Sequence, residues 1–506
     1  MKRPVAFIAV ATTALPGIRT TTGLARVVLV AVALLASAGV AFGAEHAGAP
    51  QAPMNLTLAD AISLALERSR DVANARLSRI VQKQSLRVAE DKFAPDATIG
   101  PFVRYDVPDD REEHASAGIS SQVSVLVPTG GRVALFWDNA VDESANKQWT
   151  TRLGANFTQP LLRGAGVPVN TASLKTARIT ERRNVLGLKS TVMQTIASVI
   201  AAYRSLIQAE RRLEISARSL ERARELLEVN RLLIRSGRMA ERDIIQTEAT
   251  VASRELDRLQ ARNNLDSARL TLIDHLDIDA GARIRPTETI AVDPAVPDVE
   301  QSLEKAFRNR PDWLRGLLQV ESAEINLLLA KDNRRWNLSA SVGASFNSAN
   351  DTFQPFETGD ADYHATLNLN VPFGDLSRQQ QYVSASIALQ QARNGLAELR
   401  QAIDLEVRSA VRNVEVLSGQ VDLARRRREL AEQKFAIEKD KLNRGLSTNF
   451  RVSTFEDDLV SAQNSEVDTS IAYLNALSSL DRTLGTVLET WGVDITRTDE
   501  EWTENR

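Results

Sequence analysis

The chain has 506 residues, no cysteine, 25 aromatic side chains and a formal charge of −3. The missing thiols exclude disulfides, thiolate metal sites and a lipid-modified N-terminal cysteine. The acidic balance argues against a nucleic-acid partner, and so few aromatics over this length argue for an extended form rather than one large aromatic-rich core.

In chain order, Lys2, Arg3, Arg19 and Arg26 precede an apolar run from Val27 to Val40 and an Ala41-Phe42-Gly43 small-x-small site. This predicts a secretory signal peptide over residues 1–43, because the run is short for a membrane anchor and a cleavage site comes directly after it. Its removal takes away four basic and no acidic groups, moving the formal charge to about −7. No later segment reads as apolar enough to span a bilayer as a helix.

The remainder of the chain repeats itself. Gly187-Leu188 and Gly237 stand 208 residues before Gly395-Leu396 and Gly445, and Ala65, Asp71, Leu86 and Ala89 stand 241 before Ala306, Asp312, Leu327 and Ala330. The expected layout is a first repeat over residues 44–285, a Pro-rich connector over 286–298, a second repeat over 299–493 and a polar C-terminal tail over 494–506. Each repeat reads as helix, strands, long helix, turn and returning helix, and two such units bury their apolar faces against one another.

The first helices are expected from Leu58 to Lys92 and from Val299 to Lys331. Strands are expected over about 98–160 and 337–372, where Leu338, Ala340, Val342, Ala344 and Phe346 alternate with Ser339, Ser341, Gly343 and Ser345. Leu153, Ala155 and Phe157 alternate with Gly154, Asn156 and Thr158 in the same way. Such a pattern suits a wall with lipid on one side and water on the other, and it equally suits a sandwich. The aromatics weigh toward the wall, since 13 of the 25 fall in residues 93–160 and 335–375, about a fifth of the chain. Val123 to Val127, Pro128-Thr129-Gly130-Gly131 and Val133 to Trp137 read as an extra hairpin in the first repeat.

The long helices are expected from Thr171 to Arg235 and from Leu376 to Arg444, free of proline and rich in Ala, Leu, Arg, Glu and Gln. Ile196, Val199, Ile200, Tyr203 and Leu206 mark one buried stripe. About 65 residues at 1.5 Å each give a rod of about 100 Å. Each rod stops at a glycine, Gly237 or Gly445, and a returning helix comes next, from about Glu241 to Leu276 and from Asn449 to Leu488. If the strands lie in a bilayer, the four to six from one chain cannot close, so several chains must pool them; four each from three chains make twelve.

From about Leu56 to Val493 the chain resembles the TolC family of outer-membrane efflux proteins. The resemblance is carried by the duplicated layout, the strand exits Gln159-Pro160-Leu161-Leu162-Arg163-Gly164 and Val371-Pro372-Phe373-Gly374, and the Gly237 and Gly445 turns. It implies an α+β membrane protein: a homotrimeric transmembrane β-barrel in outer-membrane lipid, continued through the periplasm by a long α-helical, coiled-coil barrel built from the two repeats. It further implies a passive exit duct in a tripartite efflux or type I secretion system, powered by an inner-membrane pump and gripped at its tips by a periplasmic adaptor. The implied docking residues are Ser236, Gly237, Arg238, Met239, Arg444, Gly445, Leu446, Ser447 and Thr448. The family archetype gates its pore with aspartates six and nine residues beyond the second tip glycine, where this chain has Arg451 and Thr454. Asp243, six beyond the first glycine, is the candidate partner of Arg451 in a pore gate; Glu456, Asp457 and Asp458 are weighed as lumen-lining or merely solvated.

The four histidines have no metal-ligand spacing, and His275 reads as a helix-end residue. Gly164-Ala165-Gly166 lacks the context of a nucleotide loop and reads as part of a loop insertion. With no nucleophile elbow or Walker lysine, the expectation is no enzyme, no cofactor and no metal. The competing reading is a periplasmic coiled-coil adaptor or structural protein without a membrane barrel; a porin with coiled-coil appendages would need many more strands.

Overall fold

Two local signals divide each of the first helical segments, and through them the rest of the fold is placed. In the computed structural model, which describes residues 54–106, 114–142, 148–237, 240–288, 290, 297–354, 359–444 and 446–494, the segment after Leu56 is two helices rather than one. Helix α1 (Leu58–Arg68) opens on a capping box: the Thr57 hydroxyl accepts from the Asp60 N–H at 3.1 Å while the Asp60 carboxylate accepts from the Thr57 N–H at 3.2 Å. Ser69 closes α1 with its N–H on Ala65 and caps α2 (Arg70–Glu90) with its hydroxyl. The signal peptide expected over residues 1–43 lies outside the described residues.

The rods form where expected. Helix α3 (Ala172–Arg235) has 64 residues and its counterpart (Leu376–Asn443) has 68, each about 100 Å long. Helix α4 (Ile244–Leu276) returns along the tip-side part of α3, while α2 flanks the part nearest the strands, where Arg79 meets Glu181 at 2.8 Å. In the second repeat α5 (Val299–Asn309) and α6 (Pro311–Asn333) replace the single helix expected from Val299 to Lys331. Pro311 starts the new helix where its missing N–H costs nothing. The rod Leu376–Asn443 is α7, and α8 (Asn449–Leu484) returns along it.

The first core gathers Ile196, Val199, Ile200, Tyr203 and Leu206 of α3 against Leu58 and Ile62 of α1, Leu272 and Leu276 of α4, and Val487 and Leu488. This stretch of α3 has the length and composition of a membrane span, contrary to the sequence expectation, but its apolar residues are the interior of that core. A short parallel pair, β1 (Met54–Leu56) with β6 (Ile284–Pro286), ties the start of the described chain to the Pro-rich segment, and the Tyr203 hydroxyl donates to the Leu56 carbonyl at 2.8 Å. A second core joins Ile403, Val407, Val411 and Val414 of α7 to Tyr473, Leu480 and Leu484 of α8 and to Leu303 and Ala306 of α5.

Opposite the tips lies an antiparallel sheet of six strands among the described residues: β2 (Asp96–Asp106), β3 (His114–Leu126), β4 (Arg132–Asp142), β5 (Gln148–Pro160), β7 (Asn337–Asn350) and β8 (Asp360–Asn370). Their order is β2-β3-β4-β5-β7-β8, so four strands come from the first repeat and two from the second. The β5–β7 pair joins the repeats, with Thr158 and Ser341 in register and their hydroxyls 3.0 Å apart.

Candidate functional site

Two regions carry the functional features, the sheet and the hairpin tips. Residues directly opposed in an antiparallel ladder share a face, so the register sorts every strand residue. One face carries Ile99, Val103 and Tyr105 of β2, Ile119 and Val123 of β3, Val133 and Leu135 of β4, Leu153 and Phe157 of β5, Val342 and Phe346 of β7, and Tyr363, Leu367 and Leu369 of β8. Most of these large apolar side chains are exposed, Val103 at 86% and Tyr363 at 79%. On β7 the band runs from Leu338 to Phe346, a rise of about 20 Å for a tilted strand, which matches the apolar band of a bilayer wall. Trp336 and Phe373 stand exposed at its helix-side end, and Tyr105 at the other.

The other face is polar and internally bonded. Ser120 donates to Asp138 at 2.5 Å, Ser341 to Asn156 at 3.0 Å and Asn347 to Asp362 at 2.7 Å, while the Arg152 guanidinium lies over the Phe136 ring. Among the described residues the outer strands β2 and β8 each have one neighbour only. Each therefore presents a row of unpaired backbone N–H and C=O groups, about ten per edge by the strand length.

At the first tip, Gly237 adopts φ +67°, the left-handed stop that any Cβ would strain, and its N–H donates to Ile234 at 2.9 Å. The Ser236 hydroxyl donates to Leu233 at 2.9 Å. Arg238 and Met239 lie outside the described residues, as does Gly445 at the second tip and the side chain of Asp243. At the second tip Arg444 pairs with Asp440 at 2.9 Å, the Leu446 N–H donates to Lys441 at 2.8 Å, and the Thr448 hydroxyl caps α8 at the Arg451 N–H. Sequence reasoning missed Glu438, which organises this tip: it accepts from the Ser447 hydroxyl at 2.5 Å and Lys441 at 3.3 Å, and Arg451 Nε lies 3.3 Å away. The Ser447 hydrogen bond, with Lys441 and Arg451 beside it, holds the Glu438 carboxyl below the usual range. In the sequence it is one charge among Lys434, Lys439, Asp440 and Lys441, and nothing in the spacing marks it. Also missed were the apolar residues standing in solvent around the turns: Leu232, Ile245, Ile437 and Phe450, beside Leu446.

The hairpins are joined along α3 and α8. Arg204 donates to the Leu474 carbonyl at 2.6 Å and to Ser478 at 2.9 Å, and burial pushes its guanidinium down to about 10, still charged at neutral pH. Gln208 and Arg212 both reach Asp468. Glu456, weighed above as a lumen residue, is buried instead between Ser219 and Arg222, each at 3.1 Å, and Asp457 pairs with Arg254; Asp458 is exposed. Gly164-Ala165-Gly166 receives the β3–β4 turn: the Gly166 N–H donates to Thr129 at 2.9 Å, and Asn170 Nδ2 donates to the Gly164 and Gly166 carbonyls.

A long antiparallel pair of helical hairpins carrying a sheet that is apolar on one exposed face and polar on the other is the form of a membrane-wall protein extended by coiled coil. The sequence profile of the outer membrane efflux protein family matches residues 61–276 and 303–486, and the chain belongs to that family of efflux channels. No curated protein sequence matches it. Among solved structures the fold is similar to the outer membrane protein VceC of Vibrio cholerae, at 17% identity over 85% of this chain and 96% of that one with a TM-score of 0.64. It is likewise similar to the CmeC outer membrane channel of Campylobacter jejuni (14%, 88% of each chain, 0.65) and to the MtrE outer membrane channel of Neisseria gonorrhoeae, solved in an open state (15%, 85% and 89%, 0.65).

Proposed function

We propose that this protein is the outer-membrane exit duct of a tripartite efflux or type I secretion system, working as a homotrimer. The observation that carries the reading is the sheet: one face apolar and exposed, the other polar, with an end strand on each side that pairs along one edge only among the described residues. In hydrocarbon an unpaired backbone group costs several kcal/mol, so such a sheet is stable in lipid only when copies close it into a barrel. The polar face then lines an aqueous bore, and the rods continue that bore through the periplasm.

Conduction is passive, and the reading assigns no catalytic residue, cofactor or metal. Energy comes from an inner-membrane pump, and a periplasmic adaptor docks on the tips around Ser236, Gly237, Arg238, Met239, Arg444, Gly445, Leu446, Ser447 and Thr448. The exposed Leu232, Ile245, Ile437, Leu446 and Phe450 support that docking, because apolar side chains grouped at a rod end are what a partner covers. In the same reading Asp243 and Arg451 latch the closed tip, with Glu438 fixing the Arg451 side chain from within its own hairpin. Asp243→Asn or Arg451→Gln is expected to raise the conductance of the trimer in planar bilayers; unchanged conductance removes the latch.

The test of the duct is fractionation. The protein is expected in the outer membrane, released only by detergent, as a species of three chains. Recovery as a soluble periplasmic monomer overturns the reading.

A further inference from the structure

We infer that each chain builds six strands into the barrel wall, so that three copies close an eighteen-stranded barrel rather than the twelve-stranded one that four strands per chain would give. This rests on the trimeric reading above and specifies its wall. The duplicated helices need only four strands per chain, two leading up from α2 and α6 and two leading down into α3 and α7. The hairpin β3–β4 is additional, and its strands are bonded to a partner on both sides, β3 to β2 and β4 to β5, over eleven paired positions each.

The face pattern decides where this hairpin lies. Val133 of β4 stands in the row of Phe157 and Val342, and Val123 and Leu135 stand in that of Ala155 and Ala344; with Ile119 of β3 they are exposed on the same apolar face as Leu153 and Phe346. On the opposite face β3 and β4 present Ser116, Ser120, Gln122 and Asp138, continuous with the polar rows of β5 and β7. A hairpin folded over the lumen or projecting into solvent has no use for an apolar face in register with the wall. Its turn is seated as well: Thr129 bonds Gln159 and Gly166, and a Cβ at Gly130 would strike the Gly164 carbonyl oxygen at 2.4 Å. The inserted turn thus fills the step between β5 and α3.

The topology also sets the seam between copies. β2 enters from α2 and β8 exits toward α7, so β8 of one copy meets β2 of the next antiparallel, with the Asn370 and Asp96 ends on the helix side. Both strands have eleven residues, and Pro101 withholds one donor from the seam. For strands 4.8 Å apart and tilted about 40°, eighteen strands give a backbone diameter of about 36 Å, against about 24 Å for twelve. The mouth is therefore wider than a four-strand share provides, and the narrowest part of the duct lies in the helices.

The chain has no cysteine, so single nitroxide labels at Leu135→Cys, Ile119→Cys and Leu153→Cys of the full-length protein in liposomes report each strand's surroundings. All three labels are expected to collide severalfold more with oxygen, which concentrates in lipid, than with an aqueous nickel chelate. Leu153 in lipid with Leu135 and Ile119 in water places β3–β4 outside the wall and overturns the eighteen-stranded barrel while sparing the duct. All three labels in water overturn the duct itself.

Discussion

Glu438 shows how much of a tip rests on one side chain. Its carboxylate takes the Ser447 hydroxyl, Lys441 and Arg451, so it holds together the turn and the first residues of α8. Glu438→Gln keeps the shape and removes the charge that strengthens these bonds. We expect trypsin to cut the second tip at Lys441 or Arg444 severalfold faster in this variant, with helix content unchanged, because cleavage follows the population of the opened turn. A second carboxylate makes the pH dependence testable. Burial works to raise the Asp312 carboxyl, but the Arg310 guanidinium at 2.8 Å outweighs it and leaves the group below its ordinary range. Its contribution is then whole above the unfolded value of about 3.9 and is lost as pH falls through the lower folded value. The melting temperature should fall as pH drops below about 4, and Asp312→Asn should flatten part of that fall.

Among the elements, the seam between hairpins separates strong from weak contacts. Glu456 is 3% exposed and its partner Arg222 21%, so removing one member strands a charge away from water. Glu456→Ala should cost about 3 kcal/mol, read as a lower denaturant midpoint, whereas Asp468→Asn, at a pair more than 40% exposed on both sides, should cost under about 1 kcal/mol. The rods, the Gly237 stop and the alternating strands were legible in the sequence because each is a local rule: a 3.6-residue stripe, a left-handed residue, a period of two. The breaks at Ser69 and Arg310-Pro311 are local too, and a capping serine or a proline at a first helical turn was there to read. The β1–β6 pair and the burial of Glu456 were not, since both depend on residues more than 200 positions apart coming together. Glu438 was hidden for another reason: its partners Lys441, Ser447 and Arg451 are close in sequence, but only the folded turn selects it from the neighbouring charges.

For the whole molecule the chain by itself is unfinished. Two strand edges and an apolar face stand open among the described residues, and neither water nor lipid satisfies both; in the proposed trimer the neighbouring copies do. The family places the protein among efflux channels, and the sheet supports the proposed closure into one. The most direct measurement is a cryo-electron microscopy reconstruction of the full-length protein extracted in detergent. The account predicts three copies around one axis, β8 of each paired to β2 of the next, the apolar face toward detergent and an open bore running on into the helices. Isolated single chains, or an assembly that turns the apolar face inward and leaves the strand edges unpaired, would contradict it.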